Sequence, residues 1–116
     1  MGAVEAVLAA LDQGLDPDSA QLRQAVRELA QDLAKRHPGR SVEVRIPPYT
    51  AVQCLEGPRH TRGTPPNVVE AEPLAWVLVC TGRVTWQELV RTGRIMASGE
   101  RSDLSSLLPL LNYEAR

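Results

Sequence analysis

Ser41-Val42-Glu43-Val44-Arg45-Ile46-Pro47-Pro48-Tyr49-Thr50-Ala51-Val52-Gln53-Cys54-Leu55-Glu56 is the stretch in which the chain turns from helical to extended order. Val42, Val44 and Ile46 point one way and Glu43 and Arg45 the other, a period of two that describes a half-buried strand. Pro47-Pro48 breaks it, since proline gives no N–H to a ladder. Thr50 to Glu56 resumes as a second strand, so the pair reads as an antiparallel hairpin with a short, non-standard connection.

On the N-terminal side the pattern is helical. Val4, Val7, Leu8 and Leu11 share a face, predicting an amphipathic helix over residues 3–13 that ends at Gly14. A lone helix of about a dozen residues is not stable in water, so its apolar stripe must pack on this domain or on another chain. Asp16-Pro17 is read as the cap of a second helix through Leu22, Val26, Leu29 and Leu33. Lys35, Arg36 and His37 suit the negative end of its dipole, and Pro38-Gly39 stops it.

On the C-terminal side Asn67 to Ala71 reads as a third strand. Leu74 to Thr81 follows as a helix apolar nearly all the way round, hence buried, and Gly82 closes it. Thr85-Trp86-Gln87-Glu88 has the form of a capping box opening another short helix, which Gly93 ends. Arg94 to Ser98 is a strand. After Gly99, Ser102 is placed to cap a last helical segment carrying Leu104, Leu107, Leu108 and Leu111, which Pro109 ends or kinks early. The order α, α, β, β, β, α, α, β, α describes an α+β chain.

At 116 residues the chain makes one domain with one core. A net charge of −1 and the lack of basic runs argue against nucleic acid as a partner. The longest apolar stretches, Leu74 to Cys80 and Leu104 to Leu111, fall far short of the roughly 20 residues that span a bilayer, and the N-terminus lacks a signal-peptide pattern. The expected setting is the cytoplasm, with Cys54 and Cys80 reduced and buried. Positive charge is local. Between Gly57 and Glu70 the sequence Pro58-Arg59-His60-Thr61-Arg62-Gly63-Thr64-Pro65-Pro66 sets two arginines and a histidine in a proline-stiffened loop without an acid. A preset cationic loop suits an anion.

The element order, together with Pro73-Leu74-Ala75-Trp76, Thr81-Gly82-Arg83, Trp86 and the run from Thr92-Gly93-Arg94 to Asp103-Leu104, resembles sterol-carrier-protein-like domains. The closer similarity is to the bacterial sterol carrier protein orthologues of actinobacteria, whose signature the Gly57 to Glu70 run is similar to. The resemblance covers residues 20 to about 111, leaving residues 1–19 as an extra amphipathic helix ahead of a domain at 20–116. It implies a mixed, largely antiparallel sheet with helices packed on one face and an apolar space between them. It also implies a non-enzymatic carrier of a small apolar or amphipathic, lipid-like ligand. Related domains also serve as accessory parts of thiol-dependent isomerases, and fold does not fix function.

On that reading Trp76, Val79, Leu89 and Met96 supply apolar wall, and Arg59, His60 and Arg62 meet a polar or anionic head. The plainer reading makes the tryptophans core and the arginines internal ion pairs or loop clasps. The alternative function is an interaction or accessory module, in which the rigid loop and the first helix dock a protein partner or a second copy. A catalytic set would have to be assembled from His60, Glu56, Glu70, Thr61 and Cys54, yet the two acids are equally explained as solvent-facing strand residues. No Cys/His pair has metal-ligand spacing, so neither metal nor cofactor is expected. A dry void of about 300 Å³ would cost about 7 kcal/mol, as much as a small domain's whole stability. A pocket of that size therefore holds ligand or water, or is filled by side chains.

Overall fold

The computed structural model describes residues 2–57 and 67–112. Its elements are α1 (Ala3–Asp12), α2 (Ser19–Arg36), β1 (Val42–Ile46), β2 (Thr50–Cys54), β3 (Val68–Ala71), α3 (Pro73–Cys80), α4 (Trp86–Arg91) and β4 (Ile95–Ser98). The strands form one sheet in the order β2-β1-β3-β4. β1 pairs antiparallel with β2, with Val44 opposite Val52, and β3 pairs antiparallel with β4, with Glu70 opposite Met96. β1 and β3 run parallel, so the sheet is mixed and largely antiparallel.

The period of two on β1 becomes the two faces of this sheet. Val42, Val44, Ile46, Cys54, Val69, Ala71 and Ile95 are buried on the inner face, while Glu43, Arg45, Glu70 and Met96 lie on the outer one and stay accessible to solvent. Against the inner face lies α2, through Ala25, Val26, Leu29, Ala30 and Leu33, and α3 packs beside it. α3 has no polar face because it needs none: Ala75, Trp76, Val77, Val79 and Cys80 are all buried.

α1 lies on α2 and buries Ala3, Val4, Val7 and Leu8. The stripe that could have recruited another chain is thus covered largely by the protein's own second helix. Asp12 fastens the end of α1 to the turn after α3, its two carboxylate oxygens accepting from Arg83 Nη1 and Nη2 at 2.7 and 3.3 Å.

Local details depart from the sequence reading in three places. The cap of α2 is Asp18, whose carboxylate accepts from Gln21 N–H at 3.1 Å, so Pro17 precedes the helix. β2 stops at Cys54 because Leu55 takes a positive φ of 64°. The last helical segment does not form. Ser102 Oγ donates to the Gly99 carbonyl at 2.7 Å, Asp103 caps only the Ser105 N–H, and Pro109 admits no continuing ladder. Leu104 and Leu110 still reach the core, and the N–H groups of Leu110 and Leu111 both donate to the Cys80 carbonyl at 2.9 Å. Arg36 Nη1 donates to the Leu110 carbonyl at 2.8 Å, so the segment is pinned to the ends of both α2 and α3.

Where the chain enters β3, Asn67 works as a clamp. Its Nδ2 donates to the Ser41 carbonyl at 2.9 Å, its Oδ1 accepts from Arg101 N–H at 2.8 Å, and its own carbonyl accepts from Glu43 N–H.

Candidate functional site

The turn from α3 to α4 and the pinned C-terminal segment enclose a cleft of about 310 Å³. Val79 and Gly82 come from α3 and its end, Val84 to Gln87 from the start of α4, and Ser105, Leu108, Pro109 and Asn112 from the segment. The sequence builds this opening in three steps. Gly82 turns the chain at φ 77°, a conformation glycine adopts without a Cβ penalty. Thr85 Oγ1 caps α4 by accepting from Glu88 N–H at 3.2 Å, which fixes where Trp86 and Gln87 stand. Glu88 turns to Arg91, whose Nε and Nη2 donate to it at 2.9 and 2.6 Å. Failure of the last segment to become a helix then leaves Leu108 and Pro109 as the opposite wall.

The lining is chemically of two kinds. Val79, Val84, Leu108, Pro109 and the Trp86 ring are apolar, whereas Thr85, Gln87, Ser105 and Asn112 bring neutral hydrogen-bonding groups. Among the described residues no charged side chain lines it. Such a surface can desolvate a hydrocarbon and satisfy a hydroxyl or carbonyl on it. Its described lining is made of hydrocarbon, hydroxyl and amide groups.

The residues picked out from sequence are distributed unevenly around this cleft. Val79 lines it. Trp76 and Leu89 are core residues, at 0 % and 1 % exposure, and Trp76 Nε1 has no hydrogen-bond partner among the described residues. Met96 lies on the other side of the sheet, in a notch of about 220 Å³ beside Glu70, Glu72 and Arg94. Arg59, His60 and Arg62, with Thr61, lie outside the described residues. Val84, Gln87, Ser105 and Asn112 were not picked out from sequence. The signals for them were Pro109 and the Thr85 cap, since a helix stop facing a helix start is what leaves a gap.

The imagined catalytic partners are kept apart. Cys54 is buried on the inner face of β2, while Glu70 stands on the outer face of β3, so the sheet lies between them. Burial pushes the Cys54 thiol up to about 11, and Cys80, deeper still and near Asp32, is raised as well. Neither forms a disulfide. Both thiols should therefore resist a disulfide reagent at pH 8 in the folded protein and react at once in denaturant. The linkage has one sign: an unfolded thiol ionises near about 8.5, the folded Cys54 near 11. The Cys54 contribution to stability should be constant below about pH 8 and fall as the pH rises through the range between those two values. Rapid labelling of the native protein at pH 8 would contradict this. Among the described residues no cluster of three or more His, Cys, Asp or Glu side chains could hold a metal ion, and no helix is long and apolar enough to cross a membrane.

Residues 18–110 match the family model described as "Bacterial SCP ortholog". No curated protein matches the chain.

Proposed function

Because the chain belongs to the bacterial SCP orthologues, a family of the sterol-carrier-protein type, we propose that it is a non-enzymatic cytoplasmic carrier of a small apolar or amphipathic, lipid-like molecule. The seat of that ligand is the cleft between the α3–α4 turn and the C-terminal segment. One observation carries this reading: an opening of about 310 Å³ whose described lining combines apolar walls with neutral polar groups. That volume is at the low end of small-molecule sites, enough for one hydrocarbon chain or a compact ring system. Apolar and neutral polar groups side by side among the described lining residues favour a hydrocarbon body with a hydroxyl or carbonyl inside the cleft. By their chemistry Arg59, His60 and Arg62, which lie outside the described residues, suit an anionic head, with Arg62, next to Gly63, the main contact and Arg59 the structural one.

A non-enzymatic role agrees with protonated, buried thiols and with acids that share no cleft with them. Binding is tested by solvent extraction and native mass spectrometry of the purified protein, then by titration with a fatty acid and with the matching fatty alcohol. Trp86 lines the cleft, so its fluorescence should change on saturation. Val84→Phe should fill the opening and weaken both ligands at least tenfold with little change in melting temperature. Arg62→Ala should weaken the fatty acid alone, by about 1.5 to 3 kcal/mol, the range for a charge-assisted hydrogen bond. No carried ligand and no saturable binding of either probe would end the carrier reading.

A further inference from the structure

The family match begins at residue 18, after α1, yet α1 is bonded to the rim of the cleft. Arg83, which donates to both carboxylate oxygens of Asp12, stands between Gly82 and Val84, and both of those neighbours line the opening. The pair joins positions 71 residues apart in the chain. The end of α1 therefore grips the wall against which a ligand would lie.

The turn's own bonding is uneven. Arg83 N–H donates to the Leu78 carbonyl at 2.9 Å, but the N–H groups of Gly82 and Val84 reach the Val79 and Leu78 carbonyls only at 3.4 Å, beyond the usual range of an N–H···O bond. The guanidinium grip is tighter, 2.7 Å at its shorter bond, and charge-assisted. The Arg83 side chain is 11 % exposed and that of Asp12 35 %, so the cation is held largely out of water by an anion at the surface. Taking the carboxylate away leaves a nearly buried guanidinium short of two charge-assisted bonds, which draws it toward solvent. The weakly bonded backbone on either side follows it. The effect on the cleft is direct, because its two walls meet at Gly82: a Cβ built there would lie 3.4 Å from both Asn112 Oδ1 and Pro109 Cγ.

We propose that α1 positions the cleft: Asp12, acting through Arg83, holds the Gly82–Val84 wall where a ligand fits, so docking of α1 and binding of an apolar or amphipathic molecule strengthen each other. The proposal rests on the carrier reading and adds regulation to it. Whatever lifts α1 lowers affinity at a site to whose described lining α1 contributes no residue. The probe is decanol, titrated into the full chain and read by calorimetry. Asp12→Asn removes the charge at an exposed position, so the protein should stay folded while decanol affinity per folded molecule falls about fivefold or more, the usual size of a coupling between sites. Asp12→Glu keeps a carboxylate and should recover most of that loss. Coupling is reciprocal, so saturating decanol should slow amide hydrogen exchange at Val7, Leu8 and Leu11 in the wild type and lose that effect in Asp12→Asn. An ion pair that only adds stability would lower the melting temperature on removal and move neither the affinity nor this difference in exchange. A wild type that takes up no decanol would end the carrier reading, and the coupling with it. A wild type that binds decanol no more tightly than Asp12→Asn, or exchange in α1 slowed equally in both proteins, would overturn the coupling alone.

Discussion

Trp76→Ala should lower the free energy of unfolding by about 3–5 kcal/mol, the cost of deleting a large, wholly buried aromatic side chain and leaving a cavity behind. Trp76 is 0 % exposed and is the largest fully buried side chain, on a helix in which four other residues are also buried. That loss is of the order of a small domain's stability, so the variant should be partly unfolded at room temperature, as read by denaturant titration. Trp76→Phe separates packing from polarity. It keeps most of the ring volume and removes an indole N–H that has no acceptor among the described residues, so the small void and the relieved desolvation offset each other. Its stability should lie within about 1.5 kcal/mol of wild type. Ligand affinity per folded molecule should not change, because Trp76 does not line the cleft. A large loss of affinity in a stable Trp76→Phe protein would return this residue to the binding wall.

Gly39→Ala should cost about 3 kcal/mol or more, although the position looks like an ordinary helix stop. Gly39 has a φ of 151°, and a Cβ placed on it would run into the Leu55 carbonyl group and the Glu56 nitrogen. Strain of about 1–2 kcal/mol from the backbone adds to an overpacking term of about 1–3 kcal/mol. The collision is with main chain and cannot be relieved by rotating a side chain. It also falls where Leu55 accepts from Ser41 N–H and donates to the His37 carbonyl, so the junction of α2, β1 and β2 would have to move as a unit. Thermal unfolding should show the loss, and Gly14→Ala is the control. Gly14 has a φ of 72° but nothing within 4 Å of a Cβ, so only the backbone contribution should appear. Equal losses at the two glycines would mean that the close approach at Gly39 carries no energy.

Much of the architecture is legible because single patterns decide it. The alternation from Val42 to Ile46 gives the buried and open faces of the sheet, and the uninterrupted apolar run of α3 places that helix in the core. The C-terminal segment is less legible because two signals compete there. Leucines at helical spacing propose a helix, but Ser102 and Asp103 spend their side chains on local turn contacts and Pro109 blocks the ladder. The buried leucines are accounted for without it, since Leu110 and Leu111 borrow the free carbonyl at the end of α3. That substitution of a borrowed acceptor for a ladder is long-range information, and no local period contains it. The same holds for the site. Val79 is identifiable as apolar wall from its helix, but Met96 is separated from it by the sheet, because neighbouring residues on a strand face opposite ways and Ile95 takes the inner position. Gln87, Ser105 and Asn112 become neighbours only once the segment folds back.

Asn67 also settles how tolerant the chain is to changes in length. With its side chain bonded to Ser41 and to Arg101, the start of β3 is positioned independently of whatever joins it to Gly57. Doubling a connection adds only about 0.6 kcal/mol of closure entropy, less than either hydrogen bond's partner would lose if left bare. Residues inserted or exchanged between positions 57 and 67 should therefore leave the register of the sheet undisturbed. For protein engineering this makes the connection between positions 57 and 67 a grafting site, checked by the melting temperature of chains with inserted residues.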